Sequence, residues 1–67
     1  MNDKQYAFIK GYELGAEKGE DASYREAEAA FPNFTHEQIE YACCGSVDGA
    51  VADLWRVNRI LSAQIAN

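Results

Sequence analysis

The fold is decided by residues 34–65, which read FTHEQIEYACCGSVDGAVADLWRVNRILSAQI. The first six residues carry two helix-start signals. Thr35 and Gln38 form a capping box, and Phe34 and Ile39 form the hydrophobic staple that flanks such a box. After these signals, apolar residues recur at steps of three and four, which is the period of an amphipathic α-helix. The stretch therefore predicts a long helix that starts directly after the capping threonine.

Two apolar stripes run along this predicted helix. The second lies about 120° round from the first and includes Tyr41, Cys44, Val51 and Trp55. One stripe suffices for an intramolecular core, so two stripes indicate either a central helix of the domain or an exposed interaction surface. Because Trp and Tyr are enriched at binding hot spots, we expect partner binding at Tyr41, Val51 and Trp55. The first stripe, expected to form the core, consists of Ile39, Cys43, Val47, Ala50, Leu54, Val57, Leu61 and Ile65.

The length of this helix conflicts with the size of the chain. A helix from His36 to Ala66 is about 46 Å long, whereas a compact chain of this size is only about 28 Å across. A break at Gly45 and Gly49 would divide this helix and make a fourth. If the helix continues instead, the two glycines within it lower its stability by about 2 kcal/mol relative to alanine. The apolar register nevertheless passes through them unchanged. We therefore expect a continuous or bent helix whose overhang packs on a second copy, making a homodimer.

Two shorter helices are predicted before it. One runs from Asp3 to about Glu17, and the other from Tyr24 to Ala30, after a capping box of Ser23 with Glu26. Pro32 disfavours helix at the preceding residue, so the second helix ends there. No alternating β pattern occurs. The fold class is therefore an all-α single domain over residues 1–67, with three helices or, if the glycines break the last one, four.

Three glycines, Gly11, Gly15 and Gly19, recur at intervals of four in the first helix. Gly19 is expected to end the helix as its C-cap. For Gly11 and Gly15 the spacing leaves two alternatives, an earlier helix end or a smooth groove that admits a second backbone closely.

The charge is strongly one-sided. The 67 residues include 11 acidic and six basic side chains, which gives a net charge of −5. All of this excess lies in residues 1–40, because residues 41–67 carry two charges of each sign. Such a field repels nucleic acid and attracts basic protein surfaces.

The expected location of the protein follows from other features of the sequence. With no apolar segment long enough for a membrane span, no signal peptide and only two Cys, we expect a cytoplasmic protein.

The sequence has few residues in patterns that indicate catalysis, metal binding or phosphate binding. His36 is the only histidine, and Cys43 with Cys44 lacks the spacing of a zinc site. The glycine repeat has neither the strand before it nor the Lys-Ser/Thr after it that a phosphate-binding loop needs. We expect no enzyme activity, no metal and no cofactor.

The function expected from these observations is that of a small acidic interaction protein that occludes a protein partner. Apolar anchors would come from the second stripe, and Glu13, Glu17 and Glu26 would steer the chain onto a basic, nucleic-acid-binding host protein. The phrase FIKGYELG at residues 8–15 resembles the opening of many small phage and accessory bacterial proteins. That resemblance implies a regulator or inhibitor encoded by a phage or mobile element.

The alternative is a small DNA-binding transcriptional regulator. Residues 35–56 loosely resemble a helix-turn-helix, with the turn beginning at Gly45 and a recognition helix ending near Arg56. The resemblance implies phosphate contacts by Arg56 and Arg59. A DNA-binding domain is expected to show a basic patch, and two arginines in a chain of charge −5 do not make one. Direct nucleic acid binding is therefore the less favoured expectation.

Overall fold

The chain folds into three α-helices, as the sequence predicts. They are α1 (Asp3–Lys18), α2 (Tyr24–Ala30) and α3 (His36–Ile65). The computed structural model describes residues 1–65, apart from the side chains at positions 53, 57, 64 and 65. No strand occurs in that part of the chain. The predicted helix end at Ala66 lies outside the described residues.

Each helix begins at a reciprocal capping box. At α2 the Ser23 hydroxyl accepts from the Glu26 amide (3.2 Å), and at α3 the Thr35 hydroxyl accepts from the Gln38 amide (3.2 Å). Both boxes were expected. A third box at α1 was not expected from the sequence, and in it the Asn2 side chain accepts from the Gln5 amide at 2.8 Å. Such boxes satisfy orphan amides in the first turn and thereby set where each helix starts.

The first helix ends at Gly19, as predicted. Gly19 has a φ of 74°, in the left-handed region, and its amide donates to the Gly15 carbonyl at 2.9 Å. Glycine adopts this conformation without the steric penalty of a Cβ, so it is the preferred residue at a helix C-terminus.

The main packing contact joins the backbones of α1 and α3. A Cβ placed on Gly11 would lie closer than 3.0 Å to the carbonyl of Ala42, and one on Gly15 equally close to the carbonyl of Ser46. Contacts therefore advance in the same direction along both helices, which makes α1 and α3 parallel. This confirms the groove alternative for Gly11 and Gly15.

The glycines of α3 complete the same interface from the other side. A Cβ on Gly45 would meet the backbone of Phe8 and Tyr12, and one on Gly49 the backbone of Tyr12 and Ala16, all within 3.0 Å. Four glycines thus interdigitate, and the helix axes come closer than any larger residue would permit.

α3 is continuous through these glycines. The expectation of an unbroken helix is confirmed, and the glycines serve close packing. The turn at Gly45 that the helix-turn-helix resemblance implies is absent, because residues 45–49 are helical and Gly45 and Gly49 face α1. That resemblance therefore has no structural counterpart.

The segment between α1 and α3 returns the chain to the start of α3 and covers one side of the helix pair. Ala27 of α2 is fully buried with Ile39 and Ala42 of α3, and Phe31, Phe34 and Cys43 pack against this cluster. Ile39 is the only large apolar side chain below 2% exposure among the described residues. The contact of Phe34 with this cluster agrees with the predicted staple.

The prediction that the first stripe forms the core is correct only at its N-terminal end. Ile39 is buried and Cys43 is half-buried, whereas Val47, Leu54 and Leu61 are exposed. The glycine contact explains the difference, because it turns Ala42, Gly45 and Gly49 toward α1 and leaves the rest of the stripe uncovered. The stripe's Val57 and Ile65 side chains lie outside the described residues.

A buried hydroxyl joins the loop after α1 to α3. Ser46 is fully buried, accepts from the Ala22 amide at 2.9 Å and donates to the Cys43 carbonyl at 2.6 Å. The Ser46 hydroxyl thus supplies the hydrogen-bond acceptor for the Ala22 amide, which is buried away from water.

We expect Ser46→Ala to lower the free energy of unfolding by about 1–2 kcal/mol, because it leaves the buried Ala22 amide without an acceptor. Urea denaturation followed by circular dichroism measures the change. Ser62→Ala, at an exposed position of the same helix, is the matched control and should change the value by less than about 0.5 kcal/mol. Equal effects for the two variants would contradict the structural role of Ser46.

α3 extends well beyond the rest of the chain, as its predicted length implied. Its 30 residues span about 45 Å, against about 24 Å for the 16 residues of α1. The longest dimension of the chain is 48 Å and its radius of gyration is 13.8 Å, above the roughly 11 Å of a compact chain of 67 residues. The predicted dimer remains a prediction.

Candidate protein-interaction surface

One side of the α1–α3 pair is open, and it carries two shallow grooves. The larger, of about 570 Å³, is lined by residues of both helices, with Phe8 and Ile9 on one wall and Tyr41 on the other. The smaller, of about 250 Å³, lies farther along and is lined by Tyr12, Ala16, Ala52 and Arg56. We call this side, with its two grooves, the open face.

The open face points away from the cluster that α2 covers. Tyr41 follows buried Ile39 by two residues, so the two side chains project about 200° apart around α3. Tyr41 is 37% exposed, and the Lys4 ammonium lies 5.8 Å from its ring centroid. Ile9 and Tyr12 of α1 are exposed to a similar degree. The face therefore presents aromatic and aliphatic surface that no part of the described chain covers.

Among the described side chains of α3, Trp55 is the most exposed large apolar one, with 67% of its surface accessible. It lies three residues beyond Ala52, which lines the smaller groove, and therefore falls near the same side of the helix. Of the three predicted apolar anchors, Tyr41 and Trp55 thus belong to the open face. They are 14 residues, or about 21 Å, apart along α3.

The third predicted anchor, Val51, lies on a different surface. It lines a groove of about 280 Å³ next to the loop after α1, together with Gly19, Glu20, Asp21, Val47, Ala50 and Leu54. The sequence placed Val51 with Tyr41 and Trp55 in one stripe. The structure separates them, because the contact with α1 determines which parts of α3 remain open.

The predicted steering carboxylates differ in their surroundings. Glu26 forms an ion pair with Lys18, and Glu13 lies 3.7 Å from the ammonium of Lys10. Glu17 makes no ion pair with the described part of the chain. Glu13 follows Ile9, which lines the larger groove, by four residues, and Glu17 follows Glu13 by four, so the acidic edge of α1 borders the open face.

Lys4 and Glu37 connect the first turns of α1 and α3. Their ion pair measures 3.0 Å, and its hydrogen bond raises the pKa of the Lys4 ammonium above its ordinary value. Both side chains are more than half exposed, so the pair contributes little to stability. It does place a cation at the edge of the larger groove, beside Tyr41.

His36 is exposed, and it lies at the centre of a chain of hydrogen bonds that joins α2 to α3. The Tyr24 hydroxyl lies 2.8 Å from Nδ1 of His36, and Nε2 of His36 lies 2.8 Å from Glu40 Oε1. Desolvation, then Glu28, Glu40 and Cys43, raise the pKa of Tyr24. The phenol therefore keeps its proton at neutral pH and can donate to Nδ1.

This arrangement suits a structural tie between α2 and α3. Both ring nitrogens of His36 have partners, the Tyr24 hydroxyl of α2 at Nδ1 and the Glu40 carboxylate of α3 at Nε2. His36 also lines none of the three grooves. The only sequence signal for the tie was the position of His36 in the first turn of α3.

The two cysteines have different environments. Cys43 is half-buried against the Ile39 cluster, and burial, then Cys44 and Glu40, raise the pKa of its thiol. Cys44 is exposed, and both are free thiols. Within the described residues, no group of three or more His, Cys, Asp or Glu side chains could hold a metal ion.

Comparison of the chain with protein-family models, curated proteins and solved structures finds no match. Among the described residues, no helix has the length and apolar character needed to cross a membrane.

Proposed function

We propose that this chain is a non-enzymatic interaction module that docks on a basic protein and occludes its surface. It would act in the manner of the small regulators and inhibitors of phages and mobile elements. The basic surface that it covers would be one that otherwise binds nucleic acid.

The observation that carries this proposal is the open face of the α1–α3 pair. It presents Tyr41, Trp55, Ile9 and Tyr12 to solvent, whereas the buried core contains mainly Ala, Gly and Ser with a single Ile. When a chain exposes its aromatic residues and buries its smallest ones, the exposed apolar surface marks a site of contact with another molecule. Tyr and Trp are also the residue types most enriched among binding hot spots.

Charge supports a basic partner. The net charge is −5, and the carboxylates of Glu13 and Glu17 border the open face on α1. Acidic groups at the rim of an interface raise the rate of encounter with a basic surface, and salt weakens their effect. Glu26 is paired with Lys18 and would contribute less to this steering than the sequence predicted.

The DNA-binding alternative has no observation in its favour. Its turn is replaced by continuous helix, and Gly45 is occupied by contact with α1.

We expect the double variant Tyr41→Ala/Trp55→Ala to remain folded but to lose at least about a hundredfold in partner affinity, since two hot-spot residues of about 2 kcal/mol each are removed. The tagged wild-type chain first captures its partner from lysate of the host cell. Affinity for that purified partner is then measured by calorimetry, and circular dichroism verifies folding.

The matched control is Leu61→Ala, which removes an exposed apolar side chain that projects about 200° round α3 from Tyr41 and should leave affinity unchanged. Glu13→Gln/Glu17→Gln should slow association at low salt, while Glu28→Gln on α2 should not. Full affinity in the folded double variant would refute the proposed site. A gel shift with random duplex DNA at low salt, if positive and steeply salt-dependent, would favour the DNA-binding alternative.

A further inference from the structure

A second uncovered apolar surface runs along α3 on the side remote from α1. It consists of Cys44, Val47, Val51, Leu54, Asn58 and Leu61, and we call it the outer seam. All six residues are exposed. Val47 and Val51 each follow by two residues a glycine that contacts α1, so they project about 200° away from that contact.

The outer seam has the spacing of a coiled coil. Its members follow one another at steps of three, four, three, four and three, which is the heptad pattern of a and d positions. Cys44, Val51 and Asn58 fall at a, and Val47, Leu54 and Leu61 at d. Ile65 continues the pattern at the next a position of the sequence. The seam thus covers about three heptads on a helix that is already formed.

The residue types at these positions select one kind of assembly. β-Branched residues at a with Leu at d favour two parallel strands, and a single Asn at an a position fixes both their register and their number. Here Val51 occupies an a position, Leu54 and Leu61 occupy d positions, and Asn58 is the only polar residue of the seam. Two Asn58 side chains that face each other can hydrogen-bond across a parallel, in-register pair.

The exposed surface area of the chain also indicates an interface with a second molecule. The monomer exposes 4860 Å², whereas a typical folded monomer of 7.4 kDa exposes about 4,200 Å². The excess of about 650 Å² approaches the roughly 800 Å² that each partner buries in a standard interface.

We propose that the outer seam is the interface of a homodimer in which the two copies of α3 form a short, parallel, in-register coiled coil. The seam begins at Cys44 because the next d position toward the N-terminus is Glu40, where two like charges would meet. On α3 itself the flanking positions place no like charges opposite each other, since Asp48 and Trp55 occupy e positions and Ala50 a g position. Glu20 and Asp21 of the loop after α1 border the seam at Val47, Val51 and Leu54.

The dimer interface adjoins the open face without replacing it. Trp55 lies at the edge of the seam, and Tyr41, Ile9 and Tyr12 lie outside it. The inference therefore does not depend on the proposed target binding, and either one can fail alone.

Sedimentation equilibrium of the full chain from low to high micromolar concentration tests the assembly. We expect the wild type to shift from monomer to dimer, and Leu54→Glu to weaken that association by more than about tenfold. Leu54 is 60% exposed in the monomer, so this variant should keep its helix content. Ile60→Glu is the matched control, because Ile60 is 53% exposed on the same helix but lies off the seam, and it should dimerise like the wild type.

Cysteine cross-linking tests the orientation. In the Cys43→Ser background, diamide oxidises two Cys44 thiols to one disulfide and takes up their two hydrogens. A parallel, in-register pair brings the two Cys44 residues together within reach of a disulfide, whose Cα atoms lie about 4.4–6.8 Å apart. An antiparallel pair instead places Cys44 opposite Leu61, about 25 Å along the helix from the other Cys44.

We expect rapid formation of a disulfide-linked dimer, and its suppression when Leu54→Glu is added. A strictly monomeric wild type at high micromolar concentration would overturn the proposal. So would a dimer that survives Leu54→Glu, or one that forms no Cys44 disulfide.

Discussion

Replacing Gly45 with alanine is expected to lower the free energy of unfolding by at least about 3 kcal/mol, enough to unfold most of a domain of this size. The added methyl group would meet the backbone of Phe8 and Tyr12, 3.0 Å from the Phe8 carbonyl carbon and 2.9 Å from the Tyr12 nitrogen. Backbone atoms cannot move aside as side chains do, so the helices must separate along the whole contact. Urea denaturation at low protein concentration, followed at 222 nm, measures the loss.

The sign of this effect is its most informative property. At an open helical position, glycine to alanine stabilises by about 1 kcal/mol, and here the same change should destabilise. Gly49→Ala should behave like Gly45→Ala, since its Cβ would meet Tyr12 and Ala16. Asp48→Ala lies between the two on the exposed side and should be neutral or stabilising. A more stable Gly45→Ala variant would refute the close backbone contact.

Ile39→Ala is expected to cost about 3 kcal/mol, within the 2–5 kcal/mol range of such substitutions in cores. Ile39 is 1% exposed and is the only large apolar side chain that the described core buries completely. Its removal leaves Ala27 and Ala42 facing a cavity that small neighbours cannot fill. Thermal and urea unfolding of the monomer measure the change.

A graded series separates burial from helix propensity. Ile39→Val should cost about 0.5–1.5 kcal/mol, because it removes one methylene. Ile60→Ala makes the same change as Ile39→Ala at a half-exposed position of the same helix and should cost less than about 1 kcal/mol. Equal losses at Ile39 and Ile60 would show that the Ile39 cluster is not the core.

Both predictions follow from an unusual distribution of side chains. In the part of the chain that the structure describes, four glycines and four alanines are buried, and several of the largest apolar residues are exposed. A core with one large side chain stabilises a 67-residue chain weakly, so association is the expected supplement. The open face and the outer seam are the two surfaces on which that association is proposed.

The helix boundaries were predictable because their causes are local. Capping boxes at Ser23 and Thr35 and the C-cap at Gly19 depend on residues within one turn, and each lies where the sequence predicted it. The Asn2 box escaped prediction, although it follows the same rule three residues before Gln5. The overhang of α3 was also predictable, because helix length follows from residue number.

The site was only partly predictable. Tyr41 and Trp55 are exposed, as the second stripe suggested, but Val51 lies on the other open surface with Val47 and Leu54. Periodicity shows which residues share a side of a helix, and it does not show which side another helix covers. Ile9 and Tyr12 line the grooves of the open face, whereas the sequence predicted only Glu13 and Glu17 of α1 at the site.

The sequence by itself determined the all-α class, the three helix starts and the reach of α3, since capping and periodicity act within a few residues. Only the tertiary structure decided that Gly45 and Gly49 continue the helix and receive α1. A glycine in a helical pattern has the same local cost whether it marks a break or a close contact. The difference is made by Gly11 and Gly15, at least 30 residues earlier, whose missing side chains leave the space that brings the two backbones together.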